Sequence, residues 1–229
     1  MDTDELKRAA AHAALEHVES GQRLGLGSGS TVAFFVALLA GRVKSGELHG
    51  LVSVPTSRET ERLAAEAGLT VASLDDFPEL DLTVDGADEF TPGLDLVKGL
   101  GGALLREKVV ASASRRLVII VDDSKRVGRL GESKPIPVEV LPFARTPVLE
   151  RLRELGGEPR LRGGDVPFVT DQGNWILDCR FGPIENPVKL ATALDAVPGV
   201  LEHGLFLGMV DVVFEAGEDG VTTWKKEER

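Results

Sequence analysis

Apolar and polar positions divide the chain into alternating short buried runs and amphipathic stretches. A first helix is predicted to be capped by Thr3 and to run to about Ser20, with Asp4 and Glu5 in its first turn and Gly21 as its stop. "RLGLG" (23–27) reads as a short buried strand, and "STVAFFVALLAGRV" from Ser30 as a strongly apolar helix. "GLVSVP" (50–55) is a second strand, after which Thr56 caps the helix "SRETERLAAEAG" and Gly68 ends it. "LTVAS" (69–73) and "LDLTVD" (80–85) follow as strands. Gly101 and Gly102 then lead into the helix "ALLREKVVASAS", and "RLVIIVDD" (116–123) is the clearest buried strand of all. Strands alternating with helices at this spacing predict a parallel sheet covered on both faces.

The pattern changes near Gly131. "KPIPVEVLPFA" is Pro-rich and extended, "TPVLERLRELGG" is helical, and "VPFVTDQGNWILDCRF" reads as a hairpin turning at Asp171–Gly173. "NPVKLATALDAVPG" is a further helix with Asn186 as cap and Pro187 at its first position. "LFLGMVDVVFEAG" (205–217) is predicted as one long buried strand rejoining the first sheet. The fold class is therefore α/β: a Rossmann-like, mostly parallel sheet domain with a smaller inserted α+β, ferredoxin-like domain. The expected boundaries are 1–130 plus 205–229 for the larger domain and 131–204 for the smaller.

Composition narrows the partners. With 42% hydrophobic and 28% charged residues, the 229-residue chain is an ordinary globular sequence. Its net charge of −11 argues against nucleic acid or an anionic membrane, which both demand a positive surface. A small anion would need a local cluster of lysines and backbone N–H groups. The acidic start "MDTDELKRAA" is not a signal peptide, and no apolar run approaches the ~20 residues of a membrane span. Cys179 is the only cysteine, which excludes an intrachain disulfide and suits a reducing, cytoplasmic setting.

Three segments carry candidate chemistry. In "GLGSGST" (25–31), glycines between strand and helix let the backbone approach a ligand, helix N–H groups point at it, and Ser28, Ser30 and Thr31 add hydroxyls. A phosphate fits, though neither a dinucleotide fingerprint nor a Walker loop is present, and a tight turn with a serine cap is the plainer alternative. "VDGADEF" (84–90) ends a predicted parallel strand, where ligands of open α/β sheets bind, and its carboxylates suit proton relay or Mg²⁺. Alone, such a stretch reads better as a solvated acidic turn, with Glu89 facing water or capping a neighbour.

The third segment is "KGLGGALLREK" (98–108), where Lys98 precedes a Gly-rich loop and Glu107 lies on the helix behind it. "REK" reads either as a surface charge cluster or as a base. The helix is apolar over much of its circumference, and a glutamate on its buried flank would have a raised pKa. Lys125 follows the best strand and reads by itself as a surface lysine. His12, His17, His49 and His203 show no metal-ligand spacing, so no metal site is expected.

"GLGSGST", "DGADEF", "KGLGGALLREK" and "DDSKRVGRLG" together, with "PVEVLPFA" and "GVLEHGLFLG", resemble the ribose-5-phosphate isomerase type A family over essentially the whole chain. The resemblance implies interconversion of ribose 5-phosphate and ribulose 5-phosphate in the pentose phosphate pathway, with no metal or organic cofactor, by a homodimer or a dimer of dimers. It carries over Glu107 as base, and the chemistry of an enediolate then asks for Lys98 to stabilise the oxyanion and Asp85 to assist ring opening and hydroxyl proton transfer, which makes both catalytic candidates. Substrate contacts would be Ser28, Gly29, Ser30, Thr31, Asp85, Gly86, Ala87, Asp88, Lys98, Gly99, Leu100, Gly101 and Lys125, with Lys7 a weaker phosphate candidate. Ser28 stands where the family often has Thr, and His203 where Asn is frequent. The rivals are a sugar-phosphate sensor, a related deaminase or lactonase, and a Mg²⁺-dependent phosphatase using Asp85 and Asp88.

Overall fold

The computed structural model describes residues 2 to 226. In chain order it contains α1 (Thr3–Leu15), β1 (Arg23–Leu26), α2 (Ser30–Lys44), β2 (Val52–Pro55), α3 (Arg58–Glu66), β3 (Leu82–Asp85), β4 (Glu89–Phe90), β5 (Leu96–Val97), α4 (Leu104–Ser112) and β6 (Leu117–Asp122). A 3-10 turn (Asp123–Lys125) leads to β7 (Ile136–Val140), and a second one (Pro142–Ala144) leads to α5 (Arg145–Glu154). Then come β8 (Glu158–Leu161), β9 (Trp175–Arg180), α6 (Pro187–Asp195), β10 (Val200–His203), β11 (Leu205–Phe206), β12 (Val212–Gly217) and β13 (Gly220–Lys225). No helix among the described residues is long and apolar enough to cross a membrane.

The chain forms two compact units: Met1–Ala87, Arg106–Lys125 and Met209–Arg229 in the first, Asp88–Leu105 and Arg126–Gly208 in the second. The first is built on a six-stranded sheet in the order β13-β12-β6-β3-β1-β2, parallel except for β13. Its central strand β6 is buried at every position, as β-branched runs covered on both faces should be. Val118 and Ile120 pack with Phe35 and Leu39 of α2 and Ala10 and Ala14 of α1. Each such fully buried Val, Ile, Leu or Phe contributes roughly 1.5–3 kcal/mol. Gly25 in β1 has no space for a side chain, since a Cβ there would stand 1.8 Å from Thr83 Oγ1 and 2.7 Å from Val110 Cγ1 of α4.

The second unit carries the order β7-α5-β8-β9-α6-β10 on an antiparallel sheet arranged β10-β7-β9-β8, which is the ferredoxin-like pattern. Val148 and Leu152 of α5 and Leu194 of α6 share its core with Val138, Leu177 and Cys179. A second, three-stranded sheet in the order β11-β5-β4 belongs to the same unit. That pairing brings Asp88–Leu105 into the second unit, whereas the sequence had suggested 131–204 alone.

Several element assignments change. The cap of α1 is Asp2 rather than Thr3: its carboxylate accepts from Glu5 N–H, and the Glu5 carboxylate accepts from Asp2 N–H, each at 2.8 Å. The helix stops at Leu15, not Ser20. Ser57, not Thr56, caps α3. "LTVAS" contributes only one bridge, Val71 to Ser53. In the expected hairpin the turn forms, with Gly173 N–H on Thr170 O at 2.9 Å, but its first arm makes a single bridge, and β9 pairs with β8 and β7 instead. Residues 205–217 form two strands, interrupted where Gly208 takes φ +67° and donates to Asp95 Oδ1 at 3.0 Å.

Candidate active site

In the first unit the parallel strands β1, β3 and β6 place their C-terminal ends along one sheet edge. β1 is followed there by Gly27, which leaves no space above Asp85: a Cβ on Gly27 would stand 2.1 Å from Asp85 Oδ1. Asp85, the last residue of β3, is 1% exposed, and its Oδ1 accepts from Ser28 N–H (3.1 Å) and Gly86 N–H (2.7 Å). The loop and the acid are thus built against each other. Gly29, at φ +105°, precedes α2 and gives it no side-chain cap, so the serine-cap reading of "GLGSGST" does not describe this turn. Gly29 and Ser30 are exposed, Thr31 half-buried. Ser28 turns its hydroxyl to Thr56 Oγ1 and Ser57 Oγ, both at 2.8 Å, and Thr60 Oγ1 donates to Gly27 O at 2.8 Å.

Glu107 lies in the first turn of α4 and is only 4% exposed, which removes the surface-cluster reading of "REK". Its neighbour Arg106 donates to Pro55 O, the last residue of β2, at 3.2 Å. That contact brings the start of α4 to the same sheet edge as Asp85. Lys125 closes the 3-10 turn after β6 and is half-buried. Lys7 of α1 has Asp4 Oδ1 3.7 Å from its Nζ.

In the second unit, Lys98 follows β5 and is 3% exposed. Its N–H donates to Gly204 O at 2.9 Å, and its Nζ stands 5.5 Å from the Phe206 ring centroid. Gly99 and Gly102 take φ +96° and +88°, so the loop between them turns where a side chain would be strained. Asp88 Oδ2 accepts from Leu100 N–H at 2.9 Å, tying the acid to this loop. Gly101 is exposed at its tip.

Glu89 does not face water. It is 0% exposed; Oε2 accepts from Gly131 N–H at 2.7 Å, and Oε1 from Ser133 N–H (2.7 Å), Ser133 Oγ (2.8 Å) and Lys134 N–H (2.7 Å). It latches the connection that leads into β7.

The comparisons decide the family. The model of ribose 5-phosphate isomerase A (phosphoriboisomerase A) matches residues 52–220. The chain belongs to that family. It is 52% identical to the ribose-5-phosphate isomerase A of Roseiflexus castenholzii over 223 residues, covering 96% of this chain and 95% of the relative. Identity to the Gloeobacter violaceus protein of the same name is 51%, covering 96% of each. The ribose 5-phosphate isomerase A structure from Methanocaldococcus jannaschii superposes with a TM-score of 0.92 at 40% identity, covering 97% of this chain and 99% of that one. A D-ribose-5-phosphate isomerase solved in complex with phospho-erythronic acid gives 0.96 at 38%, covering 99% and 100%. As a member of the ribose 5-phosphate isomerase A family, the protein is an isomerase.

Other polar groups near these segments escaped the sequence reading. Thr56, Ser57 and Thr60 support the phosphate-loop candidate through Ser28 and Gly27, and their only signal was a run of hydroxyls read as a helix cap. Arg162 donates to Gly99 O at 3.2 Å and Leu100 O at 2.9 Å, with no local signal at all. One His does meet two acids, in the group Asp195, Glu202 and His203. Leu205 N–H donates to His203 Nδ1 at 3.2 Å, which leaves the ring hydrogen on Nε2, 3.2 Å from Asp195 Oδ1. The imidazole is therefore spent on hydrogen bonds rather than poised as a ligand.

Proposed function

We propose that this isomerase interconverts D-ribose 5-phosphate and D-ribulose 5-phosphate through a cis-enediolate, with Glu107 as the base, as a cytoplasmic step of the non-oxidative pentose phosphate pathway. The observation that carries the reading is the Glu107 carboxylate, buried to 4% exposure in the first turn of α4 beside Arg106, which donates to the last residue of β2. Burial in a helix's first turn suits a carboxylate that must both take and return a proton.

In the proposed reaction Glu107 removes the proton on C2 of the open-chain aldose and delivers it to C1. One proton also passes between O2 and O1, so the product is an isomer with nothing gained or lost. Asp85 assists ring opening and this hydroxyl transfer. Lys98 and the N–H groups about Gly101 stabilise the enediolate oxygen, whose charge is the main barrier. Asp88 orients the sugar hydroxyls or Lys98. Gly29, Ser30 and Thr31 receive the phosphate at the uncapped start of α2, whose remote binding energy holds the reacting carbons in place. Gly86, Ala87, Gly99 and Leu100 supply backbone contacts, and Lys125 a further cation. Phospho-erythronic acid, bound in one solved relative, joins a phosphate to a planar carboxylate, which supports a site that accepts a phosphate and a planar anion together. No metal or organic cofactor enters the scheme, and the acting species is taken as a homodimer or a dimer of dimers.

The test is isomerisation of ribose 5-phosphate by EDTA-treated protein beside Glu107→Gln. Active wild type and a variant losing at least ~10³-fold in kcat at little change in KM support the assignment. Wild type that binds the sugar phosphate without turning it over sinks it.

A further inference from the structure

Arg162 follows the last residue of β8 and is held by Asp178 of β9, with Nε on Asp178 Oδ2 at 2.8 Å and Nη2 on Oδ1. The two side chains are 15% and 24% exposed. The fork leaves Nη1 to reach Gly99 O at 3.2 Å and Leu100 O at 2.9 Å. Phe168 completes the arrangement: the guanidinium carbon stands 5.7 Å from its ring centroid, and its ring lies where a Cβ on Gly102 would be, at 2.5 Å.

Two consecutive carbonyls drawn toward one cation fix the direction of what lies opposite them. In a trans peptide the C=O of one residue and the N–H of the next point in opposite directions. With Gly99 O and Leu100 O on Arg162, the N–H groups of Leu100 and Gly101 are aimed away from it. That of Leu100 is on Asp88 Oδ2, 2.9 Å away, so Asp88 marks the side to which both N–H groups turn. Gly101 lies exposed on that loop, and its N–H is the next donor in the row. A cation on the carbonyl side also polarises each peptide and strengthens its N–H as a donor.

We propose that Arg162, oriented by Asp178, is a positioning residue that sets the Gly101 N–H for the negative charge that develops during isomerisation. The inference rests on the reading that this loop stabilises the enediolate. A donor of this kind acts in the transition state more than in the bound sugar, so its loss falls on kcat rather than on KM. Lysine cannot replace the arginine, because one ammonium cannot grip a carboxylate with a fork and reach two carbonyls together.

The experiment compares steady-state isomerisation of ribose 5-phosphate by wild type and Arg162→Lys, with thermal unfolding of both. The expected result is a fall in kcat of about 10- to 100-fold, below the ~10²–10³-fold of deleting a donor outright, with KM within about threefold. Should the lysine variant not fold, the double substitution Arg162→Met with Asp178→Leu replaces the pair by apolar side chains of similar size, and the same split is expected of it. A folded variant with kcat within about twofold of wild type overturns the proposal. So does one that raises KM at unchanged kcat, because the pair would then serve ground-state binding alone. Wild type unable to isomerise ribose 5-phosphate fails a different claim, the functional reading itself.

Discussion

Replacing Glu89 by Gln keeps the length of the side chain while removing its charge and one acceptor oxygen. In the native protein four donors converge on the carboxylate, three on Oε1 and one on Oε2, all at 2.7–2.8 Å. A glutamine that keeps its oxygen on Ser133 and Lys134 must turn its NH₂ toward Gly131 N–H, donor against donor. The lost bond leaves a buried amide unpaired at about 1–3 kcal/mol, and the other three fall from charge-assisted to neutral strength at up to about 1 kcal/mol each. Cheaper burial of the neutral amide offsets part of this. The net expectation is a loss of about 2–4 kcal/mol, or roughly 5–15 °C in Tm for a chain of this size. Calorimetry reads the Tm, and hydrogen exchange followed by mass spectrometry reads the peptide containing Gly131, Ser133 and Lys134, which should lose protection selectively. A variant that melts within about a degree of wild type, with unchanged exchange in that peptide, refutes the latch.

Two further outcomes concern single titratable groups. Cys179 is fully buried, and its thiol is pushed up to about 12 by burial, with the Asp178 and Glu158 carboxylates adding to it. A neutral disulfide reagent at pH ~8 should leave the folded protein unlabelled and titrate one thiol after denaturation; fast native labelling contradicts this. His17 has its pKa lowered by burial and by the positive charges of Arg116 and Lys225. Below its ordinary value of about 6.5 the unfolded chain binds the proton more readily, so the stability this residue contributes is present above that pH and is lost as pH falls through the folded-state pKa. His17→Gln should therefore shrink the drop in denaturant midpoint between pH ~7.5 and pH ~5, and an identical drop in both proteins removes the argument.

What the sequence made legible was whatever depends on neighbours in the chain. β6 declares itself because five consecutive apolar positions, Leu117 to Val121, leave no face for water, and the strand is buried throughout. The loop before α2 is legible because close glycines and hydroxyls ahead of an apolar helix are a local pattern. The edge strand β13 was missed because it is exposed along most of its length and lacks the alternation that marks a half-buried strand. Helix caps slipped by a single residue at Asp2 and Ser57, where two polar residues in succession were each able to cap. Glu89 and Arg162 were misread or overlooked for a different reason. Three of the four donors on Glu89 are backbone N–H groups 42 to 45 residues away, and the loop carbonyls that Arg162 reaches lie 62 to 63 residues away; a backbone group carries no residue type to be recognised.

Asp85, Asp88 and Glu89 coexist within five residues because distant backbone groups serve each of them. Three carboxylates this close repel one another unless each is neutralised separately. Backbone amides do this with different segments for each acid: Ser28 and Gly86 for Asp85, Leu100 for Asp88, and Gly131, Ser133 and Lys134 for Glu89. The chain passes from one compact unit to the other between Ala87 and Asp88, so the first acid organises the sheet-edge loop of its own unit and the other two organise loops of theirs. Glu89 commits both oxygens to its own loop, so holding structure is its role. Asp85 and Asp88 tie down the loops that carry the candidate phosphate and enediolate donors, and a substitution at either disturbs those donors as well as the acid itself. Asp85→Asn and Asp88→Asn should therefore lower activity by more than the loss of one carboxylate contact, and a variant at either position with wild-type kcat and KM would break the link between these loops and the chemistry.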